Sequence, residues 1–256
     1  MNYIVSIGKF NIIPNVPDNN HVTIIKRNVP SILHEIECGD YIRDLINYEN
    51  FTSPVLSWDD MPTKYILLTY ENVGSDIIQY MNADISTMVL VCKNILNFLR
   101  TNHIIHTDIN IKTVRMNKYS THPILINFAR AIIHNRYSVP EYIPAHHWKS
   151  PLYHLFCYIV NSKNDKLTHD VASDIISHIS ATSFGLSLPI QYVTTVEEII
   201  RCYINKTRNE IIVELLGKSP DWDIYSMHAM IYEYTEECEI HSKCKQYIID
   251  RSTSIF

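Results

Sequence analysis

Residues His103–Ala131 read HIIHTDINIKTVRMNKYSTHPILINFARA. The opening His103-Ile-Ile-His106-Thr107-Asp108 sets two histidines and a carboxylate directly after an apolar segment. Two short β-like pieces follow, around 112–116 and 123–128, and the second runs through Ile126-Asn127-Phe128-Ala129. Polar and acidic side chains carried between short strands are how a rigid frame holds chemistry on its loops. What the stretch does depends on what flanks it.

Immediately upstream, ISTMVLVCKNILNFLRTN (85–102) predicts a strongly apolar helix, with Asn82, Asp84 or Ser86 available to cap it. Nearer the N-terminus, the β-branched and aromatic runs 3–13 and 21–27 flank the turn-forming PNVPDNN (14–20), which predicts a hairpin. SILHEIECGDYIRDLINY (31–48) places Ile32, Leu33, Ile36, Tyr41, Ile42, Leu45 and Ile46 at helical spacing after Pro30, with Ser31 as N-cap. Gly39 makes it either one bent helix or two pieces. YILLTY (65–70) predicts a strand. Downstream, the patterns over 150–161, 167–180, 195–205, 208–216 and 223–250 are helical. The expectation is an α+β chain of one domain over 1–256, with a small β-rich N-terminal lobe (about 1–73) and a larger helical C-terminal lobe (about 74–256).

In this order the pieces resemble the protein-kinase superfamily. His106-Thr107-Asp108-Ile109 is similar to the catalytic loop H-R-D-L-x-x-x-N, and Asn127-Phe128-Ala129, nineteen residues after Asp108, to the metal-binding D-F-G. Val22-Thr23-Ile24-Ile25-Lys26 resembles V-A-I-K on the third strand. Glu35 or Glu37 would then be the ion-pair partner of Lys26, Ser6-Ile-Gly8-Lys-Phe10 a reduced glycine-rich loop, and residues 68–81 the hinge. The matches cover roughly residues 1–160. The resemblance implies a bilobal kinase-like fold, with Asp108 at the catalytic position, Gly8, Lys26, Glu35, Glu37 and Asn110 at nucleotide-binding positions, and Thr113 and Asn127 at the metal positions.

Several of those positions are exchanged. Phosphoryl transfer is mostly positioning and charge neutralisation, and magnesium favours anionic oxygen ligands. Asn127 offers a neutral oxygen where the family has aspartate, and Thr113 a hydroxyl where it has asparagine. Asn110 stands where the family keeps the lysine that steadies the transferred phosphate. Ala129 replaces a glycine, and Gly8 alone remains of the phosphate loop. The resemblance with these exchanges implies a pseudokinase: a protein-binding scaffold or regulator in which ATP and magnesium bind weakly or not at all. The alternatives are an unorthodox active Ser/Thr or small-molecule kinase, the latter resembling aminoglycoside-type phosphotransferases, and an interaction protein whose match is accidental.

Farther along, Val139-Pro140-Glu141 resembles the A-P-E that closes an activation segment, leaving Tyr137 and Ser138 as its hydroxyl residues. Two stretches compete for the central helix of the helical lobe: WKSPLYHLFCYIV (148–160), preferred because it leaves a full-sized lobe, and Asp223-Ile-Tyr-Ser-Met-His, which is closer to the family's D-x-W-S-x-G.

Composition narrows the classes. The chain has 256 residues, 46% hydrophobic and 19% charged, with net charge −5, which suits a globular core and argues against disorder. No Lys/Arg cluster supports a nucleic-acid groove. No apolar run is long enough to span a bilayer, and MNYIVSIGKF lacks the marks of a signal peptide, so a cytoplasmic place is expected, with nuclear or virion-associated ones as alternatives. The six cysteines are read as free thiols; Cys238, His241 and Cys244 bring three candidate metal ligands close without a fourth. Abundant Ile, Asn and Tyr suit a large DNA virus or a parasite.

Overall fold

The computed structural model describes residues 6–7, 10–13, 21–60, 64–71, 73, 85–117, 122–134, 136–137, 149–183 and 190–235. The chain is a mixed α/β protein that divides into two compact units, one holding residues up to 106 together with 111–138, the other residues 107–110 and those from 139 onward.

The described elements of the first unit are β1 (Ser6–Ile7), β2 (Phe10–Ile13), β3 (His21–Arg27), α1 (Pro30–Arg43), β4 (Thr52–Ser53), β5 (Val55–Asp60), β6 (Tyr65–Glu71), α2 (Ile85–Thr101), β7 (Ile104–Ile105), β8 (Val114–Met116), β9 (Pro123–Ile126) and β10 (Ile132–Ile133). Five strands form an antiparallel sheet in the order β1-β2-β3-β6-β5. The expected hairpin across 14–20 is the β2–β3 pair. The run 3–13, read as one strand, holds two that pair antiparallel, Ser6 with Asn11 and Ile7 with Phe10. Thr52–Ser53 and Val55–Asp60 carried no strand expectation, because Pro54 and the acidic end Asp59-Asp60 hide the pattern. Val55 nonetheless pairs across from Tyr70 and is fully buried.

Helix α1 explains how that sheet gets a covered face. Lys26 and Ile24 pair with Ile66 and Leu68, so they stand on one face of the β3–β6 ladder with Tyr70. Ile32 and Ile36, one helical turn apart, close over Val55, Ile66 and Leu68 on that face. The helix begins at Pro30 rather than Ser31: Val29 is extended, as a residue before proline prefers, and Pro30 fills a first-turn position where no N–H is needed. It stops at Arg43, short of the expected residue 48. Asn47 turns left-handed at φ 60°, and of the last apolar pair of the pattern Ile46 points into solvent while Leu45 is only half-buried.

Gly39 does not break α1, which runs through it as one helix. A Cβ there would lie 3.0 Å from the Val55 carbonyl oxygen, so the missing side chain is what lets the helix rest on β5.

The remaining strands form two smaller sheets, β4-β9-β8 and β10-β7. Strand β9 runs parallel to β4 and antiparallel to β8. Helix α2 buries Ile95, Phe98 and Leu99, and Phe98 stacks on Phe51 at 4.8 Å between ring centres.

The second unit is helical: α3 (Pro151–Asn161), α4 (His169–Ser183), α5 (Ile190–Arg201), α6 (Arg208–Gly217) and α7 (Pro220–Thr235). Each overlaps an expected helix, α5 lying four to five residues earlier than the expected 195–205. Tyr153, Phe156 and Trp222 form an aromatic centre, each ring 5.2 Å from the indole. Thr207 and Glu210 build a reciprocal capping box at the start of α6. Arg208 donates to the carbonyls of Ile159 and Val160, satisfying the end of α3. Among the described residues no helix is long and apolar enough to cross a membrane.

Candidate functional site

Two groups of polar side chains stand out, one in each unit. In the first, Lys26 Nζ on β3 lies 2.8 Å from Glu35 Oε2 on α1. Tyr70 on β6 donates from its hydroxyl to Glu35 Oε1 at 2.9 Å, and Lys26 Nζ sits 5.4 Å from the centre of the Tyr70 ring. Glu35 is 1% exposed, so both carboxylate oxygens are taken out of water and both receive a donor. The helix decides which glutamate can do this. Glu35 falls on the buried stripe with Ile32, Ile36 and Gly39, whereas Glu37 points outward, 77% exposed, with its carboxylate 3.8 Å from His34 Nδ1.

The carboxylate marks its surroundings. Burial, followed by the charge of Glu35 and its hydrogen bond, pushes the Tyr70 phenol far above its ordinary range. The Cys38 thiol is pushed up to about 12, first by burial and then by Glu35 and Glu37.

Still in the first unit, His106 donates from Nε2 to the Ile126 carbonyl at 3.0 Å and packs edge-on against Phe128. Thr113 is buried, and its carbonyl accepts from the Ile126 amide, which sets it one residue out of register from Asn127 across the β8–β9 ladder. Asn127 itself is left-handed at φ 68°, a region asparagine enters more readily than most side chains. His34 donates to the Ala131 carbonyl at 2.6 Å, tying α1 to the chain just beyond Asn127. Gly8 lies outside the described residues, as do residues 139–141 and the Cys238/His241/Cys244 cluster. Among the described residues no three His, Cys, Asp or Glu side chains are placed to hold a metal ion.

The second unit holds Asp108 and Asn110. Asp108 Oδ1 is 2.9 Å from Lys149 Nζ, and the same ammonium donates to the Thr107 carbonyl at 3.2 Å. Asn110 folds back, donating from Nδ2 to the Asp108 carbonyl at 2.8 Å. On the other flank the Thr107 amide donates to Asp223 Oδ1 at 2.8 Å. Lys149, Thr107 and Asp223 are all buried. Thr107 has φ 63°, a rare conformation for a β-branched residue, and it is held because its N–H and C=O are both bound by buried charges.

Lys149, Asp223 and Tyr70 were not among the sequence-derived site residues. Asp223 carried a usable signal, since the Asp-x-Tyr-Ser pattern of α7 had competed for the central helix. The loop is reached by Lys149 from the segment leading into α3 and by Asp223 from α7, so both competing stretches serve it. Lys149 carried no signal, because nothing in its spacing ties it to a residue 41 positions earlier.

No family model matches the sequence, and no curated protein matches it. Among solved structures, a crystal structure of a kinase domain is similar to this chain at TM-score 0.46 and 11% identity, over 97% of this chain and 93% of that one. A likeness at that level establishes neither fold nor activity.

Proposed function

We propose that this is a kinase-like protein that has lost phosphoryl transfer and acts as a scaffold or regulator for a protein partner, with ATP bound weakly or not at all. Support for the kinase-like part comes from the lysine of the third sheet strand meeting the buried glutamate of the following helix. The observation that carries the loss of chemistry is the pair of neutral side chains, Thr113 and Asn127, at the two positions where the family holds its metal ions. Asp108 is retained, and its Oδ1 pairs with the buried Lys149.

The Asp108–Lys149 pair favours one other reading. Asn110 has lost the family's lysine, and Lys149 brings an ammonium to Asp108 by another route. An unorthodox active kinase could use that cation on the transferred phosphate. A thermal-shift titration with ATP, alone and with magnesium or manganese, separates the two. The scaffold reading expects a small shift that the metal leaves unchanged. A strong metal-dependent rise in melting temperature, with autophosphorylation abolished by Asp108→Asn, would instead establish the enzyme.

A further inference from the structure

Two exposed histidines face each other where β7 and β10 begin and end. Ile104 pairs with Ile133 in that antiparallel ladder, so His103 and His134 stand opposite one another at the next position, and the His134 amide donates to the His103 carbonyl. Their ring centres are 5.7 Å apart and their planes tilted by 42°. Two imidazoles sharing one tetrahedral zinc, each nitrogen about 2.1 Å from the metal, place their ring centres roughly 5 to 6 Å apart.

The hydrogen bonds fix the tautomer of one ring. Tyr41 has a single hydroxyl proton, and it goes to the Asn102 carbonyl at 3.0 Å. The 2.6 Å contact between Tyr41 and His134 Nε2 is therefore donated by the imidazole. A neutral His134 then carries its lone pair on Nδ1. A donor bond from the far nitrogen to a fixed oxygen is how proteins orient a metal-binding imidazole and raise its basicity. Tyr41 reaches out from α1 to make that bond, with its ring edge-on to His134 at 5.0 Å. His103 presents its ring to solvent with no side-chain hydrogen bond among the described residues.

The geometry points to a divalent transition-metal site on the first unit, with His103 and His134 as its two protein ligands, Tyr41 as the residue that positions His134, and water completing the shell. Imidazole pairs suit zinc, nickel and copper over magnesium or calcium, so this site is chemically distinct from any nucleotide-magnesium site. An ion there braces the β7–β10 ladder and, through Tyr41, the helix that carries Glu35.

The test is calorimetry with zinc chloride on the full chain, comparing wild type with His103→Asn, His134→Asn and the double variant. Asparagine is chosen because both backbones are left-handed, at φ 53° and 47°, where it is better tolerated than alanine. Wild type should bind one more zinc than the double variant, and each single variant should lose that site. Zinc should raise the melting temperature of wild type more than that of the double variant. Tyr41→Phe should keep the stoichiometry and weaken the site about tenfold. Equal zinc stoichiometry in wild type and the double variant overturns the assignment. If a variant fails to fold, imidazole NMR of the wild-type chain serves instead: two histidine rings should shift together at the first equivalent of zinc, and a titration in which no pair responds overturns it equally.

Discussion

Glu35 receives Lys26 on one carboxylate oxygen and Tyr70 on the other, at 2.8 and 2.9 Å, while almost wholly excluded from solvent. Both partners lie on the sheet face that α1 covers, so the helix is seated by charge as well as by Ile32 and Ile36. Removing one member of such a group leaves a charge in a low-dielectric interior. Lys26→Met is expected to cost about 3 kcal/mol of stability in urea denaturation. Lys26→Met with Glu35→Leu should cost less than Lys26→Met alone, because no unpaired carboxylate remains. If the double change proves worse than the single one, Glu35 is not held chiefly by Lys26.

Lys149 is the corresponding element of the second unit. Lys149→Met removes the ammonium from both the Asp108 carboxylate and the Thr107 carbonyl, at an expected cost of about 3 kcal/mol. Asp108→Asn keeps an acceptor for the ammonium and should cost roughly half as much. Equilibrium denaturation of the two variants checks the order. Equal or reversed losses would show that the lysine takes its stability from Tyr153, whose ring lies 5.1 Å from Nζ, rather than from the carboxylate.

Gly39→Ala tests whether α1 rests on β5 as tightly as the geometry states. Alanine is the better helix former by about 1 kcal/mol. Its methyl would meet the backbone carbonyl of Val55 at 3.0 Å, and that carbonyl is already held by the Arg43 guanidinium. The clash should outweigh the propensity, giving a net loss on the order of 1 kcal/mol. A stabilised variant would mean that β5 yields.

Alkaline pH should weaken the fold. Cys38 and Cys92 each rise from an ordinary 9.0 to about 12, chiefly through burial, and Tyr70 rises as well. Above pH 9 the unfolded chain sheds these thiol protons while the folded chain keeps them. The unfolded state then binds fewer protons, and stability falls as pH climbs from about 9 towards 12. Denaturation midpoints measured from pH 7 to 10.5 should be flat at first and then decline. In the native state at pH 8, a thiol reagent should modify the exposed Cys202 well before Cys38 or Cys92.

Much of this was legible because it is local. The β3 lysine and the helix after it announce themselves by alternation and helical spacing, and the second-unit helices by their apolar faces. The choice between Glu35 and Glu37 was also readable in principle: counting from Ile32 and Ile36 puts residue 35 on the buried stripe and residue 37 off it. Other features were hidden because they are long-range. The Val55 strand lies behind a proline and ends in two aspartates, and only its pairing with β6 makes it a strand. Lys149 and Asp223 acquire their meaning from a loop 41 and 116 positions away, a separation that no periodic pattern encodes. Helix α1 was read too long because Leu45 and Ile46 continue the apolar spacing beyond Arg43, although Ile46 faces solvent.

The bond from the Thr107 amide to Asp223 also sets an order of events during synthesis. The loop 107–110 leaves the ribosome with Asp108 in place, yet one of the two buried charges that hold Thr107 left-handed is translated 116 residues later. At about 5 to 20 residues per second, that is a wait of several seconds or more. Throughout that interval the loop lacks at least the Asp223 carboxylate, and for its first 42 residues Lys149 as well, so its final shape is among the last things the nascent chain acquires. A ribosome stalled before codon 223 would hold a first unit able to seat Glu35 and a loop still short of the carboxylate that closes it.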